Sequence, residues 1–217
     1  MPPVYRVGFF DMDGTLIYEN TWELIYRKLG VKGSGWLGSY LRGEISYAEL
    51  MKRDIESWLS VRKRISLNEL ESMAHFVTVR EDAKALINRL ISKGITPVIV
   101  TAGLDVFAKK VAEELKIDEV FSNHLYVDKN NYITGDGYAA VEPLKKDILI
   151  KEYLRKHNID PSESFSVGDT EYDASMFKVT GTGFLLINGI EINVNLSNVI
   201  KVRSLNQVAD IILNHRL

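Results

Sequence analysis

Two aspartates, Asp11 and Asp13, stand two residues apart directly after the apolar run at residues 7–10, and Gly14 and Thr15 follow them. An apolar run closed by a turn signal predicts a buried strand. Both carboxylates then lie where the strand ends and its loop begins, the end at which open α/β sheets bind ligands. Neighbouring carboxylates repel, so burying them together needs a proton or a cation. Magnesium suits such a pair because it takes hard oxygen ligands. An Asp/Gly turn after a strand is the plainer reading of the same residues. Two further segments carry groups suited to one site. One is Thr101 with the backbone N–H groups of Ala102 and Gly103. The other is Gly168-Asp169-Thr170-Glu171-Tyr172-Asp173. Lys145 and Lys146 precede the second segment. A lysine is usually a solvated surface charge, yet one of these two can balance an acidic, phosphate-binding pocket.

Regular elements must position these groups. Residues 17–79 read as almost wholly helical. Asn20 or Thr21 caps a helix that stops at Gly30. Ser46 with Glu49, and Ser66 with Glu69, have capping-box spacing. Gly33-Ser34-Gly35 predicts a turn between helices. From Arg80 onward helices and strands alternate. Ala83, Leu86, Ile87, Leu90 and Ile91 follow helical spacing up to Gly94. Residues 95–100 predict a buried strand ending at Thr101, and a helix runs over about 105–115. Short strands are predicted at 120–121, 125–127 and 132–134, with a hairpin turn at 128–131. A helix follows over 144–157, then strands at 164–167 and 184–187, and a last helical face from Leu205 to Leu213. Such alternation predicts a parallel sheet with helices on both faces.

Composition limits the classes of function. The 217 residues suit one domain, or a core with a small insertion. With 46% hydrophobic and 26% charged residues, the chain matches ordinary globular proteins. A net charge of −2 offers no electrostatic case for a nucleic-acid or membrane partner. The absence of cysteine excludes disulfides, thiolate catalysis and Cys-ligated zinc. No signal peptide or bilayer-length apolar stretch is read, so a cytoplasmic location is expected. Nothing in the sequence speaks to oligomeric state.

The chain resembles the haloacid dehalogenase (HAD) superfamily of aspartate-nucleophile phosphatases, and within it the phosphoserine phosphatase branch. Four motifs carry the resemblance, in order. They are Asp11-Met12-Asp13-Gly14-Thr15, Val98-Ile99-Val100-Thr101-Ala102-Gly103, a lysine within Leu144-Lys145-Lys146-Asp147, and Val167-Gly168-Asp169-Thr170-Glu171-Tyr172-Asp173. The resemblance implies an α/β fold, a Rossmann-like core of residues 1–16 and 80–217, with a helical cap domain at 17–79. It implies a phosphatase acting on a small phosphorylated metabolite, with Mg2+ as cofactor. Asp11 is then the nucleophile and Asp13 the general acid and base. Metal ligands are Asp11, Asp169 and the backbone carbonyl of Asp13, with Asp173 orienting the groups around them. Thr101, Ala102 and Gly103 bind the phosphoryl group. Family spacing to Asp147 selects Lys145 over Lys146 as the charge-neutralising lysine.

The substrate end departs from that branch. Its members read serine through a glutamate after the first motif and an arginine in the cap. Here Asn20 stands at the glutamate position beside Glu19, and Asp54 at the arginine position beside Arg53. Tyr172 replaces an asparagine. Asn20 is thus a candidate substrate contact, and L-phosphoserine is expected to be a poor substrate. Trp22, Trp36, Trp58 and several tyrosines crowd the cap. They either fill its core or, for Tyr18 and Trp22, wall the substrate pocket. A phosphomutase or phosphotransferase shares the same chemistry. A phospho-aspartate signalling module uses an aspartate and magnesium, but has no need of Asp13 or a cap.

Overall fold

The computed structural model describes residues 4–189 and 192–214, so the ends of the core range, 1 and 217, lie outside the described residues. β1 (Val7–Phe10) is buried along its whole length. Its alternate side chains enter different layers: Val7 and Phe9 pack on one side, Phe10 on the other. That is the period of two a strand imposes when both faces are covered.

Four helices then follow: α1 (Thr21–Leu29), α2 (Leu37–Leu41), α3 (Tyr47–Val61) and α4 (Leu67–Met73). Asn20, Ser46 and Ser66 each accept a backbone N–H in the first turn of the helix they precede, which satisfies groups that a helix start leaves bare. Gly30 takes the left-handed conformation that ends α1. The chain leaves the sheet at Ile17 and returns at Val79, and these two residues form an antiparallel bridge. Apolar residues of the helical segment, such as Leu24, Ile55, Trp58 and Leu70, join one cluster with Phe10, Leu86 and Ile99 beneath them.

α5 (Glu81–Ser92), β2 (Thr96–Leu104), α6 (Asp105–Leu115), β3 (Glu119–Val127) and β4 (Ile133–Tyr138) come next. α7 (Lys146–Lys156), β5 (Ser164–Gly168), α8 (Ala174–Phe177), β6 (Thr182–Leu186), β7 (Val199–Val202) and α9 (Leu205–Asn214) complete the described chain. The sheet order is β4-β3-β2-β1-β5-β6-β7, parallel except for the β3–β4 hairpin. Chain order reverses at β1, with β2 on one side and β5 on the other. This is the topological switch point, where an open α/β sheet leaves a crevice at its carboxyl ends.

Several elements differ from the sequence reading. β2 runs on through Thr101-Ala102-Gly103 to Leu104, with its pairing to β3 interrupted between Val100 and Leu104. β3 and β4 are longer than the short strands expected. The hairpin they form also anchors the helical segment. Ile133 N–H bonds Ile65 O, and Leu67 N–H bonds Asn131 O, tying the α3–α4 junction to the hairpin. β7 has no counterpart in the sequence reading. Its pattern, half-buried and exposed residues before one buried valine, is that of an edge strand, which leaves a weak hydrophobic signal.

Candidate active site

Asp11, Asp13, Thr101, Ala102, Gly103, Lys146, Asp169 and Asp173 line one cavity of about 390 Å³. Asp11 follows β1, and its N–H bonds Val167 O, so β5 holds the Asp11 backbone in register. Gly14 has φ of +72°, and a Cβ there would lie 2.2 Å from Asp169 Oδ2. Only glycine allows the first loop to close on the Asp169 carboxylate. At Gly168, a Cβ would lie 2.3 Å from the Asp173 carboxyl carbon, so the fourth motif also needs glycine for close packing.

The lysine assignment is corrected by the structure. Lys146, only 3% exposed, donates to Asp11 Oδ1 at 2.6 Å and to Asp173 Oδ1 at 2.8 Å. Lys145 is exposed and pairs with Glu142 at 3.0 Å. The cause is local. Residues Pro143–Lys145 form a 3-10 turn, so α7 begins at Lys146. The buried face of α7 is Lys146, Ile150, Tyr153 and Leu154, at i, i+4, i+7 and i+8. Counting helical periodicity back from Ile150 therefore finds the buried lysine, where family spacing to Asp147 does not.

Each carboxylate has a distinct set of partners. Asp173 is 1% exposed. Its Oδ1 takes Lys146, while Oδ2 accepts the N–H groups of Asp169 and Thr170 and the Thr170 hydroxyl. It thus positions both the lysine and the loop that presents Asp169. Asp169 is half-buried and accepts from Thr15 Oγ1 at 3.2 Å and Asn188 Nδ2 at 3.3 Å. Asp13 is held by α1: Oδ2 accepts the N–H and hydroxyl of Thr21, each at 2.8 Å.

The electrostatics follow from burial. Burial, reinforced by the charge of Asp11, pushes the Asp13 carboxyl up to about 7 against the Thr21 hydrogen bonds. Burial and Asp173 push Asp169 to about 6. Asp11 is likewise raised by burial, with Lys146 opposing. Burial works to lower the Lys146 ammonium, but Asp11 and Asp173 outweigh it and leave it raised. One ammonium faces four carboxylates, and oxygens of Asp11, Asp169 and Asp173 lie within 4.8 Å of one another. This donor set, all oxygen and short of positive charge, fits a hard divalent cation.

The second motif is tied down more than its sequence suggests. Thr101 is 1% exposed, and its Oγ1 accepts Gly103 N–H at 2.9 Å. That N–H is engaged within the loop, and Gly103 lines the cavity. Ala102 O accepts three donors: Trp22 Nε1, Tyr47 Oη and Asn123 Nδ2. Asn123, wholly buried, also bridges to both the N–H and the C=O of Val141. The sequence reading missed Thr21, which it took only as a candidate helix cap, and Asn123 and Asn188, whose partners lie about twenty residues away.

The remaining candidates divide. Asn20 lines the cavity, with its Oδ1 capping α1 through Glu23 N–H. Trp22 lines the cavity, whereas Tyr18 lines a neighbouring one that shares Asp13 and Asn20 with it, under the Arg80 guanidinium. Trp58 is core. Glu19 binds Thr78 N–H and Arg53 binds Glu49, and neither lines the cavity. Asp54 does. No helix among the described residues is long and apolar enough to cross a membrane.

Known proteins resemble this chain in sequence and in fold. The family model for haloacid dehalogenase-like hydrolases matches residues 9–178. The phosphoserine phosphatase of Methanocaldococcus jannaschii is 29% identical over 180 residues, 81% of this chain and 82% of its own length. That of Lactococcus lactis is 30% identical over 177 residues, 80% and 79% respectively. Among solved structures, a HAD family hydrolase from Salmonella enterica superposes with a TM-score of 0.82 at 20% identity, over 99% of this chain and 73% of that one. A phosphoserine phosphatase in its apo form superposes with a TM-score of 0.77 at 22% identity, over 96% and 99%. These two likenesses concern the fold. The chain belongs to the haloacid dehalogenase-like hydrolase family, and within it to the hydrolases of phosphoric monoesters.

Proposed function

We propose that this chain is a magnesium-dependent phosphatase of a small phosphorylated metabolite, working through an aspartyl-phosphate on Asp11, with residues 17–79 as the cap over the site. The observation that carries it is the buried Lys146 bridging Asp11 and Asp173, in a cavity shared with Asp13 and Asp169. Asp11 attacks phosphorus. The ester P–O bond breaks, and its electron pair leaves on the alcohol oxygen, which takes a proton from Asp13. Asp13, now a carboxylate, takes a proton from water as that water attacks phosphorus. The Asp11–phosphorus bond breaks, and inorganic phosphate leaves. With its pKa near neutrality, Asp13 can hold and release this proton. Lys146 neutralises Asp11 and the phosphoryl oxygens, and the Thr101 side chain faces the same group. Asp11, Asp169 and the carbonyl of Asp13 would hold magnesium, which supplies further charge stabilisation.

Hydrolysis of p-nitrophenyl phosphate tests this reading. Inorganic phosphate should equal the phenol released, whereas a phosphotransferase would release less. Activity should disappear with EDTA and return with Mg2+. Full turnover by metal-stripped protein refutes the site.

The acid role of Asp13 has its own signature. Asp13→Asn should slow alkyl phosphates by roughly 10²–10⁴-fold, the usual worth of a general acid or base. Release of p-nitrophenol, a good leaving group, should suffer far less in the first burst. Equal losses for both would remove Asp13 from leaving-group protonation.

Stability should carry the mark of the carboxylate cluster. Asp13 and Asp169 have folded pKa values of about 7 and about 6, above those of the unfolded chain. Between about pH 4 and 7 the folded state therefore binds more protons than the unfolded one, and stability falls as pH rises. The Tm of EDTA-treated protein should drop from about pH 5 to about pH 7.5, and Mg2+ should raise it more at the higher pH. A Tm that climbs over this interval without metal contradicts the buried, charge-poor site.

A further inference from the structure

The cavity has a second charged end. α3 presents Tyr47, Leu50, Met51 and Asp54 to it, at i, i+3, i+4 and i+7, a single helical stripe. Tyr47 marks the catalytic end, since its hydroxyl bonds Ala102 O in the loop after Thr101. Asp54 lies two turns further, about 10 Å along the helix axis.

Asp54 is 8% exposed. Its Oδ1 accepts Ser34 N–H at 2.9 Å. The Tyr26 phenol faces it, and burial together with the Asp54 charge raises that phenol's pKa. Among the described residues no lysine or arginine pairs with Asp54. Its neighbour Arg53 is bound to Glu49 and covers the Trp36 ring. A buried carboxylate without a cation is costly, so its place on a cavity wall calls for a cationic visitor. Tyr26 stands beside it, and Trp22 and Tyr47 continue the aromatic lining of the cavity toward Ala102 in the catalytic loop. Trp58 packs behind two of them, 5.5 Å from Trp22 and 6.4 Å from Tyr26 between ring centroids, which fixes their orientation. Glu23 and Lys32 reach the cavity from its exposed side with opposite charges.

An aromatic-lined cavity that ends in a carboxylate is the chemistry that recognises organic ammonium groups. We infer that the cavity selects phosphate monoesters whose alcohol carries an ammonium group, with Asp54 as the specificity-determining anion. This rests on the phosphatase reading and adds a substrate class, the amino-alcohol phosphates. An anionic alcohol would bring like charge against Asp54. An amino-acid phosphate would gain the ammonium contact but carry a carboxylate to the same buried anion.

The test is a kcat/KM panel on the wild-type enzyme with magnesium. Its members are p-nitrophenyl phosphate, O-phosphoethanolamine, phosphocholine, propyl phosphate, 3-phosphoglycerate and O-phospho-L-serine. At least one of the two ammonium esters should exceed propyl phosphate and O-phosphoserine by about tenfold or more, the worth of one charge-assisted contact. The advantage should lie mainly in KM. Asp54→Asn should cut the ammonium-to-propyl ratio by about tenfold, and Asp54→Glu should restore part of it. A wild-type ratio near one, O-phosphoserine or 3-phosphoglycerate as the best substrate, or a ratio unmoved in Asp54→Asn overturns the inference. Should the variant fail to fold, the wild-type panel decides alone. Hydrolysis of p-nitrophenyl phosphate without ammonium preference sinks this inference and leaves the phosphatase reading standing. No hydrolysis of any ester sinks both.

Discussion

Asp11→Asn should lower steady-state turnover of every phosphate monoester by about a thousandfold or more, while the protein stays folded with a Tm no lower than wild type. The amide has no anionic oxygen to form the aspartyl-phosphate, and loss of a covalent nucleophile leaves only the binding and electrostatic remainder of the site. The stability half of the prediction comes from the cluster. Asp11 is buried beside Asp169 and Asp173, both of which raise its pKa, so its charge is held at a cost in the metal-free protein. Replacing it with a neutral isostere removes that repulsion, and Asp173 still pairs with Lys146. Enzyme assay and calorimetry on one preparation check both parts, with mass spectrometry to exclude deamidation back to aspartate. Sustained turnover by intact Asp11→Asn would remove Asp11 from the nucleophile's role.

Two adjacent lysines should behave in opposite ways. Lys146→Met should lower kcat/KM by roughly 10²–10³-fold, as for loss of one preorganised charge donor, and destabilise by about 3–5 kcal/mol. Its ammonium is enclosed by Asp11 and Asp173, and removing it leaves two buried carboxylates without their counterion. Lys145→Met should change activity by less than about twofold and stability by ~0–1 kcal/mol, as for any exposed pair. Its only ionic partner among the described residues is Glu142, with the lysine side chain 59% exposed. The reverse ranking would restore the assignment made from family spacing.

These lysines show why part of the site was legible and part was not. The carboxylates sit on motifs with local signals: an apolar run before Asp11, a glycine before Asp169, and turn chemistry after each. The caps of α1, α3 and α4 are equally local, since Asn20, Ser46 and Ser66 bond N–H groups three residues ahead. Lys146 needed the phase of a helix. A one-residue error in where α7 begins rotates a side chain by about 100°, from the cavity to solvent. The 3-10 turn before it introduces that error.

Other groups were out of reach because their partners are far away in the chain. Asn188 holds Asp169, and Asn123 ties Ala102 to Val141. Each is an ordinary polar residue until the fold places it. Asp54 is similar. In sequence it is one acid on an amphipathic helix, and only the packing of α3 over the site turns it into the buried wall of the cavity.

By itself the sequence determined the α/β alternation, the helical insertion after β1, the aspartates of the first and fourth motifs and the class of chemistry they suit. Those follow from hydrophobic period and from turn and cap residues, which act over a few positions. Tertiary structure alone decided the strand order that makes β1 the switch point, the pairing of Lys146 with Asp11 and Asp173, and the meeting of Asp54 with the catalytic cavity. The reason is that register across a sheet and the rotation of a packed helix are set by side chains from distant segments burying one another, and no local window of residues contains both partners.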